Sequence, residues 1–431
     1  MKNPAIEELY KLFQRHPVVC TDTRNIKPGS LYFALKGANF NANEFAAAAI
    51  KSGCAYAIID EEKYYSDKCV LVPDVLQCLQ KLANHHRKQF VFPILSITGS
   101  NGKTTTKELT AAVLSKKYNT LFTQGNLNNH IGVPLTLLKL TKEHNMAVIE
   151  MGANHVGEID MLCRIAEPGY GIITNIGKAH LEGFGGYEGV IKAKSELYRF
   201  IEEIGGELFV SSDDELLMNL SAGIKRHTYG KSENSDVKGM QGGDNFFAKG
   251  KIVIGNRQVE VNSNLAGSYN FYNILAAACI ASYFNTSPEQ IKNAIEEYTP
   301  VNNRSQIIKK GSNTIWADAY NANPSSMKTA IENFALLNAP NKILILGDMF
   351  ELGEESKKEH QSIADLIEQN EGWKAVCLIG KDFSNVKSSA TLFATLDEFI
   401  IWLSENPVMD ATILLKGSRG MQMEKVLEKI Q

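Results

Sequence analysis

The sequence predicts an α/β protein of several domains, and three observations carry that prediction. Short, continuous apolar runs alternate with helical patterns along most of the chain, the pattern of a mostly parallel sheet covered on both faces. One such run, ILSIT at residues 94–98, passes through a Gly-rich loop directly into a helical pattern. The chain has 431 residues, enough for two to four domains at roughly 100–200 residues each.

Composition narrows the class. Apolar residues make up 44% and charged residues 22%, as in ordinary globular proteins. A net charge of −3 offers no electrostatic basis for binding nucleic acid or an anionic membrane. The seven cysteines are scattered and none forms a CxxC pair, so neither a disulfide framework nor a zinc site is expected, and a reducing cytoplasm fits. The opening MKNPAIEELYKLF lacks the apolar core of a secretory leader. No apolar run approaches the roughly 18 residues of a membrane span.

In the first region, residues 1–89, strands are expected at 30–35 and 55–59. Helices are expected at 43–52, ending at Gly53, and at 75–89. The second region, 90–298, opens on the 94–98 strand, with a helix from Lys103 to about Lys117. Further strands fall at 146–150 and 170–175, and helices at 158–166, 190–201 and 269–283. The stretch 232–261 is Gly-rich and polar, with KIVIG and QVEV as a hairpin at the periphery. After Thr299-Pro300, which reads as a linker, the third region, 299–431, alternates again, with strands at 314–317, 342–346, 376–379 and 412–415.

The chemistry starts at the loop Thr98-Gly99-Ser100-Asn101-Gly102-Lys103-Thr104, followed by Thr105. Its glycines allow backbone N–H groups to turn inward as an anion nest, and the helix that follows adds its positive end. Lys103 is placed to neutralise phosphate oxygens, and the Thr104 hydroxyl to ligate Mg²⁺. Ile97 stands where the strict Walker pattern has glycine, so the loop is a shorter variant. The chain is therefore expected to use ATP. Glu150 and His180 each follow an apolar strand, where ligands of open α/β sheets collect, and such a pair beside a phosphate loop can complete a metal site. Lys194 alone reads as a solvated helix lysine. The stretch GNLNNHIGVP at 125–134 reads either as an Asn-rich turn or as a set of hydrogen-bonding groups for a polar substrate. In the third region DAYNANP, LGDMFELG and LLKGSRGM follow strands; Asn323 suits a helix N-cap and Pro324 the first helical position. Lys416, Ser418 and Arg419 together look like a grip for an anion.

TGSNGKTTT, GNLNNHIGVP, EMGA, TNIGKAHLEGFG, AKSEL, DAYNANPSSM, LGDMFELG and KGSRGM occur in that order. Together, over about residues 22–423, they resemble the Mur ligase family, the ATP-dependent amide ligases of peptidoglycan precursor synthesis. The resemblance implies three domains: a small α/β domain for a UDP-sugar (1–89), a central P-loop ATPase (90–298) and a C-terminal Rossmann-like domain for the incoming amine (299–431). YNANPSSM and LGDMFELG point to the member that adds D-alanyl-D-alanine to UDP-N-acetylmuramoyl-tripeptide through an acyl phosphate. The resemblance implies that Glu150 and His180 ligate a second Mg²⁺, and Lys194 matches a lysine that is carbamylated in several relatives. Asn270 and Asn273 match a pair that contacts adenine, though Tyr269 replaces the usual preceding histidine. Arg304 and Asp318 match residues reaching the nucleotide from the third domain. Asn126, Asn129 and His130 fall in the loop expected near the muramoyl-tripeptide. Tyr320, Asn321 and Asn323 fall in the loop expected near the substrate, and Thr23 and Arg24 in a uridine-binding loop. The family often has Asp-Gly-His where this chain has Asn41-Ala42-Asn43. A monomer is expected.

Two other readings compete. Another member of the superfamily, such as the enzyme that adds the third residue or a folylpolyglutamate synthase, would share the phosphate loop. The third-residue enzymes that use diaminopimelate usually carry a DNPR-like segment where this chain has YNANP. A non-catalytic ATP-binding module would not need the Glu150–His180 pair.

Overall fold

The computed structural model describes residues 1–243, 246–301 and 303–430. The chain forms two compact units. One comprises Met1–Ser96, Tyr118–Ala153 and Gly157–Tyr170; the other Ile97–Lys117, Asn154–Val156 and Gly171–Gln431.

In the first unit the strands Val19–Cys20, Leu31–Phe33, Tyr56–Ile59 and Cys69–Leu71 pair in that order, all parallel. Tyr32, Ala57 and Ile59 pack with Ala42, Ala46 and Ala49; the helix expected at 43–52 is instead a 3₁₀ turn (Ala42–Phe45) running into the helix Ala46–Lys51. The small side chains of that helix let it sit close to the sheet. The helix Val75–Arg87 starts where Asp74 accepts a hydrogen bond from the Gln77 N–H. In the same unit Thr120–Phe122 pairs parallel with Met146–Glu150.

In the second unit the strands Tyr170–Ile173, Glu207–Ser211, Arg226–Gly230, Val237–Gly242, Phe247–Ile254 and Arg257–Ala266 lie side by side in that order. Parallel pairing gives way to an antiparallel meander after Val237–Gly242. The hairpin expected at the periphery forms, and its two strands are the outermost pair at one end of this sheet. The strands Val237–Gly242 and Phe247–Ile254 pack on the helix Asn270–Tyr283, whose Phe271 and Leu275 are fully buried, and the strand Arg257–Ala266 packs on the helix Pro288–Glu297. A polar, Gly-rich sequence hides this role because only alternate residues face the helix; Asp244 and Asn245, within it, lie outside the described residues.

A separate six-stranded sheet follows in the order Gln306–Lys310, Asn313–Asp318, Thr412–Lys416, Lys342–Gly347, Trp373–Ile379 and Thr391–Phe393. Only the edge strand Gln306–Lys310 runs antiparallel; the chain pattern had not revealed it. Helices cover this sheet, and Ile315, Ile345, Ile379 and Ile413 fill its core.

The helix expected at 190–201 is two helices, Tyr187–Lys194 and Glu196–Glu203. The Ser195 hydroxyl donates to the Ile191 carbonyl at 2.6 Å, a side-chain bond that competes with the helix ladder at the break. Lys194 thereby ends a helix instead of lying along a continuous outer face.

Candidate functional site

The strand Ile94–Thr98 is followed by residues 99–102, and the helix Lys103–Leu114 starts from Gly102. Two positions in the turn require glycine. Gly99 has φ +144°, and a Cβ there would lie 2.0 Å from the Thr174 hydroxyl. Gly102 has φ +75°, and a Cβ there would lie 2.7 Å from Asn273 Oδ1. With both glycines in place, the loop presents the first N–H groups of the helix outward, where an anion can accept them.

The loop is fastened to residues 174–177, which follow the strand Tyr170–Ile173. Ser100 N–H donates to the Asn175 carbonyl at 2.9 Å, and Asn101 N–H to Asn175 Oδ1 at 3.0 Å. Asn175 Nδ2 and the Thr174 hydroxyl both donate to the Asn101 carbonyl, at 2.9 and 2.6 Å. Gly177 N–H donates to Ser100 Oγ, which donates to the Gly177 carbonyl. Sequence reasoning took only His180 from TNIGKAH. The signal for Thr174 and Asn175 was their place at a strand end beside that motif. Lys103 Nζ lies over the nest, donating to the carbonyls of Gly99 at 2.7 Å and Ser100 at 3.1 Å. Thr104 and Thr105 are buried in the first turn.

Asn273 stands against Gly102 and accepts from the Thr106 hydroxyl at 3.1 Å. Its Nδ2 donates to Asn270 Oδ1 at 2.8 Å. Asn270 itself is 1% exposed, with its amide donating to the Ala266 carbonyl and Ser305 Oγ. The Asn pair is thus brought together at the loop, but Asn270 orients Asn273 and is not at a surface.

Lys194 is 1% exposed, which corrects its reading as a solvated helix lysine. Its Nζ lies 5.1 Å from the centre of the Phe184 ring, and the His180 ring is edge-on to the same phenyl. Lys194 and His180 are thus gathered round one aromatic. His180 has a left-handed backbone, φ 52°, at the start of the short helix Leu181–Phe184. Its Nδ1 pairs with the carboxylate of Glu351, a residue of LGDMFELG that sequence reasoning did not single out. That hydrogen bond holds the Glu351 carboxyl below its ordinary value.

In the first unit Glu150 ends the strand Met146–Glu150 and is 1% exposed. Asn128 Nδ2 donates to its Oε1 at 2.7 Å, and Thr123 Oγ1 accepts its N–H at 2.9 Å. Asn128 is the amide of GNLNNHIGVP with this placement. Its neighbours serve the turn: Asn129 Oδ1 accepts from the N–H groups of Ile131 and Gly132, and the His130 carbonyl accepts from Gln80 Nε2. Asn126 is exposed, and its carbonyl accepts from Asn128 N–H. Thr23 and Arg24 form a 3₁₀ turn capped by Asp22. The Arg24 guanidinium grips that carboxylate, lowering its pKa to about 2, and stays exposed on its other side. Asn43, in the segment that departs from Asp-Gly-His, is buried and donates to Asp60.

The third region gathers its predicted residues at strand ends. Parallel register sets Asp318 beside Lys416, and Lys416 Nζ donates to Asp318 Oδ2 at 2.5 Å. The Arg304 guanidinium lies 3.4 Å from the Tyr320 ring centre, and that of Arg419 lies 4.7 Å from it. Asn321 Oδ1 accepts from Arg419 N–H at 3.4 Å. Asn323 caps the helix Pro324–Ala335, with Pro324 in its first turn, and its Nδ2 donates to Asn101 Oδ1 of the phosphate loop at 2.7 Å.

Among the described residues no group of three or more His, Cys, Asp or Glu is arranged to hold a metal, and no helix is long and apolar enough to cross a membrane.

The chain is similar to known proteins over nearly its whole length. A family model described as the Mur ligase middle domain matches residues 97–281, and one described as Mur ligase, glutamate ligase domain, matches 303–419. The UDP-N-acetylmuramoyl-tripeptide–D-alanyl-D-alanine ligase of Escherichia coli (strain K12) is 34% identical over 428 residues, covering 96% of this chain and 93% of that protein. The ligase of the same name from Bacillus subtilis (strain 168) is 33% identical over 431 residues, covering 96% and 92%. A crystal structure of MurF from Acinetobacter baumannii superposes with a TM-score of 0.86 at 31% identity, covering 98% of each chain. MurF ligase from Thermotoga maritima, in complex with ADP, gives 0.85 at 26% identity over 97% of each. The chain belongs to the Mur ligase family.

Proposed function

We propose that this chain joins D-alanyl-D-alanine to UDP-N-acetylmuramoyl-tripeptide with ATP, releasing ADP and phosphate. It is an ATP-dependent amide ligase of peptidoglycan synthesis. The observation that carries the reading is the nest at the start of helix Lys103–Leu114, with Lys103 Nζ over it and Asn323 of YNANPSS bonded to its Asn101. A phosphate grip and a substrate loop of the last domain meet there.

The chemistry follows from leaving groups. A carboxylate would have to expel oxide, so the γ-phosphoryl of ATP is first moved to the tripeptide's terminal carboxylate, giving ADP and an acyl phosphate. The dipeptide amine then attacks the carbonyl carbon, the amine loses a proton, and phosphate leaves. The residues position the groups and stabilise charge. The loop N–H groups and Lys103 bind phosphate oxygens, and Arg304 and Asp318 approach the nucleotide from the third domain. Tyr320, Asn321, Asn323 and the Lys416–Ser418–Arg419 segment receive the dipeptide. Thr23, Arg24, Asn126, Asn129 and His130 serve the UDP-muramoyl-tripeptide. Residues 1–89, 90–298 and 299–431 are the corresponding domains.

The Thr104 hydroxyl suits a Mg²⁺ held with the phosphates, and the carboxylate of Glu150, which is buried and fixed by Asn128, and the imidazole of His180 are donor types that suit a second. Bound there, Mg²⁺ would neutralise charge on the transferring phosphoryl group. Lys194 is a candidate for carbamylation: its amine, once deprotonated, would add to CO₂ and release a proton, leaving a carboxylate-like group. Burying an ammonium is costly, and a carbamate there would instead give the site an anion for the metal. The enzyme works as a monomer in the cytoplasm.

Phosphate release measured with UDP-muramoyl-tripeptide and a panel of dipeptides tests the reading. Release that depends on D-alanyl-D-alanine is expected, and its absence would sink it. Lys194→Ala should cripple turnover and be partly restored by short carboxylic acids. Full activity in that variant removes the carbamate.

A further inference from the structure

Gly177 and Lys178 form a two-residue strap whose successive N–H groups face different ways. Gly177 N–H donates to Ser100 Oγ of the phosphate loop at 2.9 Å. Lys178 N–H donates to Ser325 Oγ, in the first turn of the helix Pro324–Ala335, at 2.8 Å. The Lys178 side chain reaches on to the helix Ser356–Glu368, where Nζ donates to Glu359 Oε1 at 2.6 Å. Lys178 is 48% exposed, but the Glu359 side chain is only 5% exposed. A carboxylate held that far from water needs a counter-charge, and removing the partner of a buried ion costs much more than removing a surface pair.

We infer that Lys178 and Glu359 are positioning residues that fix the amine-binding loop against the phosphate loop, and so set where the incoming amine stands relative to the acyl phosphate. The inference rests on the ligase reading above. Neither residue touches a reacting atom. With the pair intact, burial of Glu359 is compensated only when the helix Ser356–Glu368 is seated on the strap. When seated, Ser325 and Asn323 are held at 2.8 and 2.7 Å from their partners on Lys178 and Asn101. Loss of either charge leaves phosphoryl transfer intact and loosens the second substrate.

The test separates the two half-reactions in the full-length enzyme. Hydroxylamine, a small nucleophile that needs no dipeptide site, traps the acyl phosphate as a hydroxamate in the presence of ATP and UDP-muramoyl-tripeptide. Lys178→Met and Glu359→Gln should each raise KM for D-alanyl-D-alanine roughly tenfold. Hydroxamate formation should stay within about twofold of the parent. The double variant should be no worse than the poorer single, because the two changes remove one interaction. Unchanged dipeptide kinetics in the single variants, hydroxamate loss in parallel with dipeptide loss, or additive effects in the double variant would each overturn the inference. A parent enzyme that turns over with D-alanyl-D-alanine while the variants behave in one of those ways leaves the ligase reading standing. A parent enzyme that forms no hydroxamate overturns both.

Discussion

The phosphate loop and the strand ends of the last sheet are both polar turns following buried parallel strands, yet they are held in different ways. Residues 99–102 are fixed mainly through backbone: glycines at φ +144° and +75°, and N–H and C=O groups paired with Asn175 and Gly177. The loops round Tyr320 and Phe350 are fixed by charges and rings: Arg304 and Arg419 on Tyr320, Lys416 on Asp318, Lys178 on Glu359 and His180 on Glu351. Backbone geometry resists salt and tolerates few substitutions. Side-chain pairs can be tuned, screened or broken one at a time. A site that must hold one nucleotide but admit and release a peptide has use for both.

The largest effect should come from the backbone-held side. Gly99→Ala puts a methyl group into the space of Thr174 Oγ1, and tripeptide-dependent ADP formation should fall by about a hundredfold or more. Retained activity would break the comparison. Asn323→Ala removes both a helix cap and the bond to Asn101; a loss of up to roughly thirtyfold is expected, since a cap is worth about 1 kcal/mol and a hydrogen bond a similar amount. Tyr320→Ala should raise KM for the dipeptide by roughly tenfold and Tyr320→Phe by less than about twofold, because the ring faces, not the hydroxyl, meet the guanidinium groups. Steady-state kinetics that fail to separate Phe from Ala would place the role elsewhere. Raising NaCl from about 0.05 to about 0.5 M should raise KM for the dipeptide by severalfold and KM for ATP by less, with Lys178→Met reducing the difference.

The smallest effect concerns Glu351. Its folded carboxyl lies below the ordinary value chiefly because of the His180 hydrogen bond, so it binds protons less readily than in the unfolded chain. The resulting stabilisation is present above the unfolded value of about 4.3 and is lost as pH falls through the lowered folded value. Half exposed, the group should give no more than about 0.5 kcal/mol, seen as a gap in thermal midpoint between the parent and Glu351→Gln at pH 6 that closes near pH 3. A gap that widens in acid would reverse the assigned sign.

The fold was legible where residues announce their period. The strand Met146–Glu150, the helix Glu158–Ala166 and the N-cap at Asn323 fall where sequence put them. The hairpin KIVIG–QVEV was legible, but the edge strand Gln306–Lys310 and the strand Val237–Gly242 were harder to read, because they carry no continuous apolar run of strand length. At the site, Lys103, His180 and Asn323 were visible as residue types in motifs. Asn128, Thr174, Asn175, Glu351 and Glu359 were not, since each acts on a partner distant in the chain: 22 residues away for Asn128 and Glu150, 181 for Lys178 and Glu359.

The sequence by itself determined that this protein grips a phosphate chain. Glycine, lysine and threonine at fixed spacing after an apolar strand are local matters, and local sterics and a helix end are enough to make an anion nest. Tertiary structure decided what faces that nest: that Lys194 is buried beside Phe184, that Asn270 serves the fold and not a surface, and that Ser325 and Glu359 close on the strap at Gly177–Lys178. Burial and pairing depend on which elements pack together, and no spacing along the chain states that.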